Sequence, residues 1–338
     1  MEGMTMEKRI AVIGAGSFGT ALAKLLTDKG YDVSLWGRRK SQVELMIDTR
    51  ENPHYLPGIN LPEQLKITDD LTKCLSDCSL AVFSVPAQSF RSVLQSAKEL
   101  LTPDTVVVNV AKGIEKDTLM TLSRVAYQVM PEIKYAVLSG PSHAEEVARQ
   151  LPTTVAVASK EAKLALEVQE TFNTDRFRVY TNDDMIGVEL GGALKNIIAL
   201  GAGISDGIGF GDNAKAAIMT RGMTEMRRLG MAMGADAHTF SGLTGIGDLI
   251  VTCTSMHSRN RRCGILMGKG KALKEAVKEI GMVVEGVSTA EAAYALAQTY
   301  NVEMPITECI YKMIHGEIDA MGAVDILMGR KTKNEMHV

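Results

Sequence analysis

Short apolar runs alternate with helical periodicity through the first half of the chain. The runs are Arg9–Ile13, Asp32–Trp36, Leu80–Val85, Thr105–Val110, Tyr135–Leu138, Thr153–Ala158 and Arg176–Tyr180. Continuous β-branched runs of this kind suit strands buried on both faces. Their alternation with helices predicts a parallel sheet covered on both sides. After about Asn182 the strand runs largely stop. Leu190, Leu194, Ile197, Ile198 and Gly201 fall at i, i+4, i+7, i+8 and i+11, a helical stripe. Ser288-x-x-Glu291 reads as a capping box, continued by Ala293, Leu296, Ala297 and Tyr300. The pattern predicts an α/β domain over residues 1–186 and an all-helical domain over residues 187–338.

Length agrees with that division: 338 residues suggest two domains at roughly 100–200 residues each. With 46% hydrophobic and 23% charged residues the chain is neither collagen-like, disordered nor a disulfide scaffold. The longest run free of Asp, Glu, Lys and Arg is Ile10–Ala23, fourteen residues, followed by Cys78–Phe90 with thirteen, so no membrane helix is expected. Met1–Arg9 has no apolar stretch suited to a signal peptide, and three Met among the first six residues leave the start codon open. The net charge of −3 argues against a general polyanion binder, so nucleic acid is not an expected partner. Five scattered cysteines without metal or redox spacing read as reduced, packed thiols of a cytoplasmic protein.

Candidate chemistry begins at Gly14-Ala-Gly16-Ser-Phe-Gly19, directly after the first strand and before the helical pattern Thr20–Leu26. With the next strand, Asp32–Trp36, this completes a βαβ unit, the context in which G-x-G-x-x-G is a dinucleotide fingerprint. Gly14 permits the turn, Gly16 lets backbone approach a pyrophosphate, and Gly19 lets helix and strand pack. The helix N-terminus then offers free amides to the phosphates. The second strand ends in Gly37-Arg38-Arg39, where an NAD-specific site would usually carry a carboxylate for the ribose 2′-hydroxyl. A cation there suits a 2′-phosphate, which favours NADPH and leaves NADH open; a solvated surface pair is the plain alternative.

Two later strand ends run into Ala111-Lys112-Gly113 and Ser139-Gly140-Pro141-Ser142. Ligands of open α/β sheets bind beyond strand carboxyl ends, which places Lys112 and Ser142 as candidates. A surface lysine, and a capping box Ser142-His-Ala-Glu145, are the competing readings. In the helical half, Gly191 lies one turn before Lys195, and a turn without side chain beside an ammonium would leave room for a ligand; close helix packing beside a solvated lysine is the alternative. Between Asp248 and Glu275 no acid occurs, while Arg259, Arg261, Arg262, Lys269, Lys271 and Lys274 accumulate, behind the Gly-rich Thr244–Asp248. Arg forks match phosphate, so this stretch suggests an anionic ligand; a solvated basic face is the alternative. Gly201–Gly211 reads as a helix–helix loop with Asp212 capping the next helix, and no metal-ligand spacing occurs.

Together Gly14–Thr20, Ala111–Gly113, Leu138–Ser142, Gly192–Asn196, Gly245–Asp248 and Ser258–Asn260 resemble bacterial-type NAD(P)-dependent glycerol-3-phosphate dehydrogenase, in order and over nearly the whole chain, from Arg9 to about Glu317. The resemblance implies an N-terminal Rossmann dinucleotide-binding domain followed by an all-helical domain, with the active site between them. It implies interconversion of dihydroxyacetone phosphate and sn-glycerol 3-phosphate with NADP(H) or NAD(H), for phospholipid synthesis. Lys195 takes the role of proton-transfer residue. Substrate contacts carry over to Lys112, Gly140, Ser142, Lys195, Asp248, Ser258, Arg259 and Asn260. Cofactor contacts carry over to Ser17, Phe18, Arg38, Lys112, Ala144, Arg259, Val283 and Glu285, with Arg39 and Tyr55 less distinct. A homodimer and feedback inhibitors are left open. The rival readings are another two-domain NADPH-dependent reductase, of β-hydroxyacid or ketopantoate type, and a noncatalytic NADPH-binding regulator.

Overall fold

A computed structural model describes residues 8–332, 334 and 335; the expectations about the stretch before Lys8 lie outside the described residues. The chain resolves into two compact units. One takes in the chain up to Ala111 together with Leu122–Met185; the other takes Lys112–Thr121 and the chain from Ile186 onward.

The first unit is built on eight strands: β1 (Arg9–Ile13), β2 (Asp32–Trp36), β3 (Lys66–Thr68), β4 (Leu80–Phe83), β5 (Val106–Asn109), β6 (Lys134–Ser139), β7 (Thr153–Ser159) and β8 (Phe177–Asn182). Their order is β3-β2-β1-β4-β5-β6-β7-β8. Neighbours pair in parallel except β6 with β7, which run antiparallel, Ala136 facing Ser159 and Ser139 facing Ala156. The parallel sheet read from the sequence thus carries one antiparallel pairing. The residues between them, including the short helix Ala144–Ala148, return the chain in the opposite sense. β3 escaped the sequence pattern because three half-exposed or exposed residues carry no apolar run. Strands β1, β4 and β5 are buried almost throughout, as their unbroken apolar runs require.

The second unit is helical. Its centre is the helix Met185–Ile208, whose residues Leu190, Leu194, Ile197, Ile198 and Leu200 are buried. This helix is long and apolar enough to cross a membrane, yet 94% of the qualifying window is buried inside the protein. It serves as a core helix of the second unit.

The helix also runs on through Gly201, Gly203 and Gly207, which corrects the reading of Gly201–Gly211 as a loop. Helix propensity alone disfavours glycine by about 1 kcal/mol. Packing overrides it: a Cβ on Gly203 would stand 2.1 Å from the Arg261 carbonyl, and one on Gly207 2.4 Å from that of Ile265. Gly264 and Gly268 of the facing helix Arg259–Gly268 meet Leu200 and Ile204 carbonyls as closely. Four glycines thus let two backbones touch. Gly203→Ala is expected to lower the melting temperature, with an overpacking cost of about 1–3 kcal/mol. Gly201→Ala on the same helix, where a Cβ would meet only ordinary contacts of 3.4 Å and more, is the control; equal melting of both variants would refute the packing argument.

Local capping differs from expectation at three places. Gly211, not Asp212, is the N-cap of the helix Asp212–Ala232. Ser288 lies inside the helix Glu285–Tyr300 and bonds the Glu285 carbonyl, so Ser288 and Glu291 form no capping box. The Ser142 hydroxyl donates to the Gly140 carbonyl at 3.0 Å, and His143 is the N-cap of Ala144–Ala148. Each motif has the right composition, but the helix boundary is set by packing of its apolar residues.

Candidate active site

In the first unit the glycine loop joins β1 to the helix Ser17–Asp28. Gly14 has φ +116°, and its Cβ would fall 2.3 Å from the Ser84 carbonyl. A Cβ on Gly19 would fall 2.0 Å from the Gly14 carbonyl. Both positions are closed to side chains by neighbouring backbone. Gly16 is the opposite case: nothing lies within 4 Å of its Cβ position, so the loop leaves open space there. Gly16 caps the helix without a side-chain acceptor, and the first turn carries no acid. Free helix amides facing open space fit a dinucleotide diphosphate.

The other cofactor candidates of this unit cluster unevenly. The Ser17 hydroxyl donates to the Tyr55 carbonyl at 2.6 Å, and Phe18 packs half-buried on the core. Arg39 donates to the Tyr55 hydroxyl at 2.7 Å and lies over its ring, 5.5 Å from the centroid. Arg38 is exposed and, among the described residues, forms no hydrogen bond or ion pair. Gly140 is buried with φ +144°, its Cβ position 2.9 Å from the Val155 Cα, so it must be glycine for β7 to approach. Ser142 is half-buried beside it, and Ala144 begins its short helix.

The second unit brings its candidates into one buried cluster. Lys195 Nζ donates to Asp248 Oδ1 and to Thr252 Oγ1, both at 2.6 Å, while Lys112 Nζ donates to Asp248 Oδ2 at 2.6 Å. Lys195 is only 5% exposed and Asp248 1%, which removes the reading of a solvated lysine. Gly191 does not leave ligand room: its Cβ position is 2.5 Å from the Thr244 carbonyl. It admits the π-helical turn Leu243–Gly247, which delivers Asp248 to the start of the helix Asp248–Thr254.

Two lysines share one carboxylate. Burial pushes the Lys195 pKa down to about 8; Asp248 opposes that shift and Lys112 adds to it. Burial would raise the Asp248 carboxyl, but the Lys112 and Lys195 ammonium groups outweigh it and hold Asp248 below the usual carboxylate range. Thr252, whose hydroxyl also donates to the Asp248 carbonyl, was missed in the sequence. Its one signal is the i+4 spacing from Asp248, too common to stand out.

Beside this cluster, Ser258 is the N-cap of Arg259–Gly268, its hydroxyl accepting from the Arg261 amide at 3.2 Å. Asn260 donates to Asn196 Oδ1 at 2.9 Å and accepts from the Gly286 amide at 2.8 Å. Glu285 and Gly286 open the helix Glu285–Tyr300, and Val283 precedes it, exposed. Arg261 is spent on Asp206, at 2.7 Å, so the basic stretch is not one uniform face. All five cysteines are buried and unpaired with one another; burial pushes Cys253 up to about 12. Such thiols are unreactive.

Two family models match the chain. One described as NAD-dependent glycerol-3-phosphate dehydrogenase N-terminus matches residues 9–165, and one described as its C-terminus matches residues 184–325. The glycerol-3-phosphate dehydrogenase (NAD(P)+) of Pelotomaculum thermopropionicum is 52% identical over 334 residues, 98% of this chain and 96% of that one. A crystal structure of glycerol-3-phosphate dehydrogenase from Coxiella burnetii superposes with a TM-score of 0.92 at 42% identity, covering 96% of this chain and 99% of that one. A ketopantoate reductase from Ralstonia eutropha superposes with a TM-score of 0.62 at 14% identity, covering 94% and 99%, a likeness of fold alone.

Proposed function

The chain belongs to the NAD-dependent glycerol-3-phosphate dehydrogenase family, and from that premise we propose that it interconverts dihydroxyacetone phosphate and sn-glycerol 3-phosphate with NADP(H) or NAD(H). The observation that carries this reading is the buried Lys195 ammonium, held by Asp248 and Thr252 and tuned toward neutrality beside Lys112. The bound nicotinamide supplies or accepts the hydride. Everything else falls to this chain's side chains. Lys195 gives a proton to the C2 oxygen in reduction and takes it back in oxidation, a task suited to a group whose pKa lies near the working pH. Asp248 and Thr252 fix where that amine stands, and Lys112 supplies the second positive charge.

The substrate phosphate falls to Arg259, Ser258 and Asn260 at the start of their helix. The Asn260 side chain is spent on Asn196 and Gly286, so its contribution falls to its backbone amide. Arg259 adds the bidentate cation. Gly140 and Ser142 extend the substrate contacts, and Ala144, Val283 and Glu285 the cofactor contacts. A cytoplasmic role in phospholipid supply accords with five buried, unreactive thiols.

The test is NADPH oxidation with dihydroxyacetone phosphate, set beside ketopantoate and a β-keto acid. Turnover confined to the phosphorylated ketone is the expected result. No turnover with any of them would favour the noncatalytic alternative. Arg38→Asp then asks about the cofactor. An exposed guanidinium just past β2 suits a 2′-phosphate, and a carboxylate there would repel it and bind the ribose hydroxyl. The ratio of kcat/KM for NADPH to that for NADH is expected to fall. An unchanged ratio would leave Arg38 a surface charge and transfer the role to Arg39.

A further inference from the structure

Asn52 lies at the base of the glycine loop and is completely buried, although no residue of a simple loop needs an amide there. Its Nδ2 donates to the Ala15 carbonyl at 3.0 Å and to the Thr20 hydroxyl at 2.8 Å. Gln42 Nε2 donates to the same Ala15 carbonyl at 2.7 Å and reaches Asn52 Oδ1 at 3.5 Å. Two side-chain amides from outside the fingerprint therefore converge on one carbonyl inside it. Three residues further along, the Tyr55 carbonyl accepts from Ser17 and the Tyr55 hydroxyl from Arg39. The segment from Asn52 to Tyr55 touches both the loop and the arginine at the end of β2.

The geometry points to Asn52 as a positioning residue for dinucleotide binding, acting through the Ala15–Gly16 peptide. That peptide is trans, like every other among the described residues. In a trans peptide the carbonyl and the following amide point to opposite sides. Anchoring the Ala15 oxygen inward turns the Gly16 amide outward. It also keeps a carbonyl lone pair away from any anion in the open space beside Gly16. A loop held this way has its donors set before the ligand arrives, so less ordering is left to the binding step. Without the anchor the peptide can rotate and present an oxygen to the diphosphate.

This inference rests on the dinucleotide reading of the loop, and the experiment separates the two. NADPH binding is measured directly by its fluorescence on mixing with the enzyme, alongside steady-state kinetics and melting temperature. Wild-type enzyme that binds no NADPH would overturn the functional reading itself. Given wild-type binding, Asn52→Ala should raise the NADPH Kd and KM about tenfold or more. Its kcat at saturating NADPH and its KM for dihydroxyacetone phosphate should stay within about threefold, since Lys195 and its partners are untouched. Asn52→Asp should lose more affinity than Asn52→Ala, because a carboxylate oxygen would then face the Ala15 oxygen with no hydrogen between them. Val168→Ala, in the fully buried core of the same unit, supplies the comparison for general destabilisation. It should lower the melting temperature and leave the NADPH Kd unchanged. An Asn52→Ala Kd within twofold of wild type, or a matching Kd loss in Val168→Ala, overturns the proposal. If both Asn52 variants fail to fold, Gln42→Ala decides. It removes one of the same two donors from a half-buried site, and an unchanged Kd there overturns the proposal equally.

Discussion

Lys195→Met should keep NADPH binding and lower kcat for dihydroxyacetone phosphate by about 10²–10⁴-fold, the usual worth of a general acid–base group. Methionine fills much of the same volume, and Asp248 keeps Lys112 as its partner, so the fold should persist. The wild-type pH dependence follows from the lowered Lys195 pKa of about 8. Reduction uses the ammonium, whose fraction falls as pH rises through that value. Oxidation uses the free amine, whose fraction grows through it. The reductive kcat should therefore decline above about pH 8 while the oxidative kcat rises toward it, and both inflections should vanish in the Met variant. A Met variant within tenfold of wild type would move the proton to another group.

Asp248→Ala should be the most damaging change to the fold of the second unit. Asp248 is the carboxylate between two ammonium groups, and Lys195 has only the Thr252 hydroxyl besides it. Breaking a buried pair by removing one partner costs about 3–5 kcal/mol. For a protein of this size that corresponds to a melting-temperature drop of at least about 4 °C. Lys195 can escape part of the penalty by losing its proton. With Asp248 gone, the influence that raises its pKa disappears, so the reductive inflection should move below about 8. The sign of the stability effect follows: the loss is largest where Lys195 is protonated in the wild type and shrinks above about pH 8. Adding Lys195→Met should recover part of the stability, because the uncompensated buried charge is then absent. Thermal melting of the single and double variants across that pH range checks this. A single variant as stable as wild type would mean that water already reaches the cluster.

Most strands, the central helix stripe and the candidate chemistry are legible from the residue pattern alone. Strand runs such as Ile10–Ile13 and Val106–Val108 are legible because a strand buried on both faces must be apolar throughout. The fingerprint at Gly14–Gly19 is legible because each glycine answers a local steric demand within one βαβ unit. Lys112, Lys195 and Asp248 were each visible as candidates, separated by up to 136 positions. Only the tertiary structure joined them into one hydrogen-bonded cluster and set the charge on Lys195, since burial and neighbouring charge belong to no single stretch of chain. The same holds for the glycines of the central helix. Gly203 and Gly207 look like loop residues until the helix Arg259–Gly268 is packed against them, because the backbone contact that requires them comes from residues about sixty positions away. Asn52 and Thr252 do not stand out in the sequence for the same physical reason. Each acts by a hydrogen bond whose direction exists only once the chain is folded.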